Sequence, residues 1–223
     1  MRISLLRNGL WVVALCLGAQ EQNPPTPAAA ANEIKGMPPR GGPGDYQAHA
    51  AAGKVTIGAE FMRHAVPTPQ GSFSNENYVA VEVGLFGAPG QRIQISVDDF
   101  SLRINGKKAL PSQPYGVVLA DLLDPEWEPP EPPKPKSSSL STGGGDDSGR
   151  QPGDPPPPPP KMPLPLVRIM QQKVQKAAVP EGDRALPEAG LLFFSYRGQS
   201  KGIKSVELIY SGPAGKATLT LEP

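Results

Sequence analysis

The sequence predicts a mainly β protein: a sandwich of about seven strands with one short helix, interrupted by a long disordered insertion rich in proline. Three observations lead there. Several runs alternate apolar and polar residues with a period of two, the pattern of a half-buried strand. One segment, residues 166–178, has a good helical period. Half of the 30 prolines fall between residues 124 and 165, where the missing amide donor stops any central strand.

The first strand is expected from residue 54, where Val55, Ile57 and Ala59 alternate with Thr56, Gly58 and Glu60. The run YVAVEVGLF at residues 78–86 is the clearest strand. It sets Val79, Val81, Val83 and Leu85 on one face and Ala80, Glu82 and Gly84 on the other, with the β-branched residues that a pleated surface favours. Gly87, Ala88, Pro89 and Gly90 form a turn. Ile93, Ile95 and Val97 alternate next, then Phe100, Leu102 and Ile104. Asn105-Gly106 follows, the pair preferred in a type I′ hairpin turn, and leads into residues 107–110. After the insertion, Leu166, Ile169, Met170, Val174 and Ala177 lie at helical spacing and form an apolar stripe; Pro180 ends the helix. Three strand-like runs at residues 191–196, 205–210 and 217–221 complete the chain.

Residues 124–163 contain EPPEPPKPK, a serine- and glycine-rich stretch, and six consecutive prolines at 155–160. Such a segment has little to bury and is expected as disordered coil and extended polyproline II. Segments 54–123 and 164–223 are each too poor in strands to cover an apolar face. They are expected to fold as one discontinuous domain. Its size is near that of an immunoglobulin-like sandwich with decoration, and closing a long loop costs only logarithmically with its length.

The N-terminus carries the pattern of an export signal. Arg2 and Arg7 precede an apolar run at residues 10–19, and the chain turns polar at Gln20. That run is too short to span a bilayer. Residues 1–19 are expected as a signal peptide, cut near Gly18 or Ala19, with an uncleaved anchor as the alternative. Cys16, the single cysteine, follows Leu15, whereas a lipoprotein signal needs a small residue there. Cleavage would leave a mature chain with no disulfide and no thiol nucleophile. Residues 20–53, rich in Pro, Ala, Gly and Gln, are expected as a disordered tether. The localisation implied is extracytoplasmic, periplasmic or secreted, with membrane contact only through an uncleaved signal segment.

The run Tyr78-Val-Ala-Val-Glu-Val, the segment Asp98-Asp99-Phe100-Ser101-Leu102, and Asn105-Gly106 together resemble the telokin-like, immunoglobulin-fold extracellular domains of the DUF4352 type. In the C-terminal half, Gly190-Leu191-Leu192-Phe193-Phe194 and Val206-Glu207-Leu208-Ile209-Tyr210 fit the same pattern. The resemblance covers most of residues 54–123 and 186–223. It implies a secreted or envelope-associated β-sandwich and carries no catalytic residues. The proline-rich insertion departs from it.

Chemistry-bearing motifs are few. Gly198-Gln199-Ser200-Lys201-Gly202 matches the G-x-S-x-G nucleophile elbow. An elbow, however, needs a helix after the serine and a histidine later in the chain. Here a strand-like run follows, and His49 and His64 both lie upstream. No phosphate loop, dinucleotide fingerprint or H-E-x-x-H is present. His64 has no second histidine nearby for a metal site. Asp121, Asp124, Glu126 and Glu128 form an acidic run without EF-hand spacing. With 22 basic against 21 acidic residues, no basic field attracts nucleic acid.

The expected function is therefore a non-catalytic exported module that binds a protein or envelope component, or serves as a spacer. No cofactor, metal or catalytic residue is assigned. Two other readings stay open: a serine hydrolase using Ser200, and a carrier of a small ligand or ion.

Overall fold

A computed structural model describes residues 34–130 and 161–223. The expected signal segment 1–19, the tether before residue 34 and the insertion at 131–160 lie outside the described residues. The strands are β1 (Ala48–Ala52), β2 (Val55–Arg63), β3 (Ala65–Thr68), β4 (Gly71–Asn75), β5 (Tyr78–Phe86), β6 (Arg92–Ile95), β7 (Phe100–Ile104), β8 (Leu110–Gln113) and β9 (Leu122–Leu123). After the insertion come β10 (Gly182–Ala185), β11 (Glu188–Ser195), β12 (Val206–Gly212) and β13 (Gly215–Leu221). Among the described residues two α-helices join them: α1 (Tyr115–Val118) and α2 (Leu164–Ala177).

Eight strands make one sheet in the order β1-β2-β5-β11-β8-β7-β12-β13, antiparallel at every pairing. The sheet curls until β1 and β13, its two ends, lie against each other. Near that seam Gln47 Nε2 donates to Glu222 O at 3.2 Å, and an Arg63 guanidinium nitrogen donates to Pro223 O at 2.6 Å. The result is a nearly closed, barrel-like sandwich. Closure protects edge groups that an open sheet would leave for other chains. The pair β5–β11, from Leu85↔Glu188 to Tyr78↔Ser195, and the bridging strand β8 join segments on either side of the insertion. β6 pairs with β10, and β3-β4-β9 form a third, small sheet.

The strands exceed the seven expected because several lack any local signal. β1 reads AHAAA, and alanine has poor strand propensity. β3 contains Pro67, β9 has two residues and β10 reads GDRA. Each is held by its neighbours and not by its own pattern.

β5 is also more deeply placed than a half-buried strand. Val79, Val81, Val83 and Leu85 enter the barrel interior with Leu192, Phe194, Phe100 and Leu208. On the outer face Ala80 joins Leu191 and Phe193 beneath Met170, Val174 and Ala177 of α2. Glu82, 5% exposed, is covered as well. The expected tether likewise needs correcting at its C-terminal end. Residues 34–47 cross the outer face of the sheet as an ordered strap and run into β1, so His49 stands on a strand, exposed, opposite Gly58. Met37 N–H donates to Ala189 O at 2.8 Å, and Ile34 and Met37 pack with the α2 cluster. Composition concealed this, because a few anchors suffice to order a segment without periodicity.

Helix α2 begins two residues earlier than expected. Pro163 and Pro165 sit at its start, where the first-turn amides have no helical partner to lose. Its buried face is Met170, Val174 and Ala177, with Val167 partly covered. Leu166 (46% exposed) and Ile169 (50%) face outward, so the expected stripe is displaced toward Val167. Val174→Asp is expected to cost more than about 3 kcal/mol by burying an unpaired charge. Ile169→Lys should stay within about 0.5 kcal/mol. Urea melts of the two variants check the assignment; equal losses would contradict the buried face.

Asp99 lies beside Gly212 and the Tyr210 hydroxyl. Burial, and to a lesser degree the charge of Asp98, push its carboxyl above the usual range. A raised carboxyl means that the folded state binds more protons than the unfolded one. Stability contributed here therefore falls as pH rises from the ordinary carboxylate value through the raised one. Asp99→Asn is expected to raise the melting temperature at pH 7, with the gain vanishing near about pH 3. A gain independent of pH would contradict this origin.

Candidate functional site

The Gly198–Gly202 motif lies in the connection from β11 to β12. β11 ends at Ser195, the chain loops outward, and Ser200–Gly202 forms a single 3-10 turn before buried Ile203. One such turn is not the helix whose N-terminus completes a nucleophile elbow.

The fold brings His64 to this loop from 134 residues away in sequence. A register shift between Phe61 and Arg63 disturbs the end of β2, and Arg63 takes φ 56°. The imidazole that follows touches three main-chain carbonyls. Nδ1 lies 2.8 Å from Asn75 O and 2.9 Å from Tyr78 O, and Nε2 lies 2.9 Å from Gly198 O. The Tyr196 ring lies alongside, with centroids 6.1 Å apart. A general base for Ser200 would hold its acceptor nitrogen at the serine hydroxyl; here both ring nitrogens are engaged by carbonyls. His64 therefore ties three segments together: the β2–β3 junction, the β4–β5 turn and the loop after β11.

Asn105 holds the other side of that loop. Asn105 and Gly106 have φ 53° and 67°, and Lys107 N–H donates to Ile104 O at 3.1 Å. This is the expected type I′ turn, in which both central residues need positive φ. The Asn105 side chain accepts from Lys204 N–H at 2.7 Å and Ser205 N–H at 3.2 Å, and donates to Gly202 O at 2.8 Å. Asn105→Gly keeps the turn but loses all three bonds. It should destabilise by about 2 kcal/mol and speed amide exchange at Lys204 and Ser205. Unchanged exchange there would contradict the anchoring role.

Between these anchors lies a cleft of about 400 Å³. It exists because the β7–β8 ladder starts at Leu102↔Leu110, so the Asn105-Gly106 turn does not close a two-residue hairpin. Residues 105–109 instead form a wider loop beyond the end of β7, whose Arg103 and Ile104 stay paired with β12. Ile104, Leu110 and Tyr196 line it and belong to the edge of the barrel core. Lys107, Lys108 and Arg197, all exposed, also line it. Among the described residues none of the three forms an ion pair, and no carboxylate lines the cleft. Arg197 and Gly198 also border a second cavity of about 370 Å³ with His64, Glu76 and Gln199. A third, of about 450 Å³, is lined by Lys54, Arg92, Pro213 and Ala214; there Arg92 is already paired with Asp183 at 2.9 Å.

The acidic run splits between local roles. Asp121 accepts from Asn77 Nδ2 at 2.9 Å, and Asp124 accepts from Glu126 N–H at 3.0 Å. Among the described residues no group of three or more His, Cys, Asp or Glu could hold a metal, and no helix is long and apolar enough to cross a membrane.

No family model matches this chain, and no curated protein or solved structure matches it. Sequence reasoning found the Asn105-Gly106 turn but not the anchoring done by its side chain, nor the place of His64. It also missed the gathering of Lys107, Lys108 and Arg197, which no spacing rule connects.

Proposed function

We propose that this chain is an exported, non-catalytic binding module of immunoglobulin-like sandwich type, taking an envelope component at the end of the barrel that carries Asn105 and Tyr196. One observation carries the reading: the loop after β11 is pinned from both sides, by His64 and by Asn105, next to a preformed cleft. A preformed, concave, largely apolar surface with a few polar groups is the usual form of a ligand site. The engagement of His64 by carbonyls argues against the hydrolase reading. Support for export is the Arg2, Arg7 and apolar 10–19 pattern. In this reading residues 124–163 act as a proline-rich spacer.

The test places a photo-crosslinking residue at Lys108 or, as a control, at Lys216 of β13, which is also exposed, in the native cell. A serine-reactive fluorophosphonate is applied to the same preparation. An adduct from position 108 but not 216, with Ser200 unlabelled, is expected. Labelling of Ser200, or no adduct specific to position 108, would overturn the proposal.

A further inference from the structure

We infer that the cleft beside Tyr196 takes a small amphiphilic anion, an apolar chain or ring ending in one carboxylate or phosphate head. The inference rests on the binding-module reading and specifies its ligand. The floor supplies the first half of the argument. Ile104 is 3% exposed and part of the barrel core, and Leu110 and Tyr196 pack on that core from above. An apolar group laid there loses water from both surfaces, the main source of affinity in such sites. About 400 Å³ lies at the small end of ligand pockets and suits roughly a dozen non-hydrogen atoms.

The rim supplies the second half. Lys107 and Lys108 come from the turn after β7, and Arg197 comes from the loop after β11. Three cations with no carboxylate among the lining residues leave a local positive field on an otherwise nearly neutral chain. Two acidic groups of the neighbouring elements are otherwise placed: Glu207 is paired with Arg103 at 2.8 Å, and Glu76 lines the adjoining cavity. An arginine fork donates two bonds to a carboxylate or phosphate, and the lysines add mobile point charges. Neither half alone selects the ligand. A neutral chain would leave the rim unused, and a bare anion would leave the floor wet.

Calorimetry on the full chain compares octyl phosphate, octanoate, octanol and inorganic phosphate. Both amphiphilic anions are expected to bind, and octanol and inorganic phosphate at least about tenfold more weakly. The ratio of octyl phosphate to octanoate reports which head is preferred. The triple variant K107Q/K108Q/R197Q should lose at least about tenfold for the anions. Raising the salt should weaken the parent protein's binding in the same direction, a reading that needs no variant. Equal binding of octanol, equal binding of inorganic phosphate, no anion binding, or an unaffected triple variant with no salt effect would each overturn the inference. If the position-108 adduct still forms under any of these outcomes, the module reading stands and only the ligand class is wrong.

Discussion

Arg40→Ala is expected to lower stability by about 2–3 kcal/mol, at or below the low end for removing one partner from a buried ion pair, because Glu82 is buried while Arg40 itself is partly exposed. Arg40 lies on the strap and grips Glu82 with two bonds, Nε to Oε1 at 3.1 Å and a terminal nitrogen to Oε2 at 2.8 Å. Its other terminal nitrogen reaches Glu60 at 2.5 Å and the Asp45 carbonyl at 2.8 Å. Glu60 and Glu82 are direct partners across β2 and β5, a like-charge pair that is unfavourable by itself. The guanidinium resolves that repulsion, and bonding to Glu82 holds its own charge more firmly than usual, against the cost of burial. Without it, a carboxylate whose side chain is 7% exposed stays in the sheet without its cation. Urea denaturation measures the loss. Glu82→Met in the Arg40→Ala background should recover most of it, because an apolar group replaces the stranded charge. A double variant no more stable than the single one would show that Arg40 acts by holding the strap and not by neutralising Glu82.

Tyr46 is expected to give changes of opposite sign for two substitutions. Its ring lies in a slot made by Gly58 and Gly84, which face each other across β2 and β5. A Cβ on Gly58 would stand 2.6 Å from the ring, and one on Gly84 would meet the hydroxyl. Arg40 lies over the other ring face at 4.5 Å, and Phe86 meets its edge with centroids 5.9 Å apart. The residue is 5% exposed, so Tyr46→Ala should cost about 3–5 kcal/mol through the cavity it leaves. The hydroxyl is buried and, among the described residues, completes no well-formed hydrogen bond, the Arg40 backbone amide acting on it only weakly and against the effect of burial. Burial also pushes its ionisation up, so it stays a neutral phenol. Tyr46→Phe should therefore stabilise by up to about 1 kcal/mol, by removing a buried polar group that lacks a full hydrogen bond while keeping the ring. A loss on Tyr46→Phe would mean that the hydroxyl has a partner after all.

What the sequence by itself determined is what short-range chemistry controls. The run at 78–86 became β5 over the same residues, and Phe100, Leu102 and Ile104 point into the core as their alternation required. Asn105-Gly106 made its turn because few other pairs tolerate two positive φ values. The helix appeared between its flanking prolines, since a missing amide acts within one turn. Tertiary structure alone decided the rest. β5 lies next to β11, about a hundred residues onward, and that neighbour decides that Ala80 is roofed by α2 and Glu82 by Arg40. β1, a run of alanines around His49, is a strand only because β2 supplies its ladder and β13 closes the seam. His64 reaches Gly198, and Lys107 and Lys108 share a rim with Arg197, because a curled sheet returns distant loops to one end. Each such juxtaposition sums many weak contacts across the core, and no residue's own neighbours in the chain encode it.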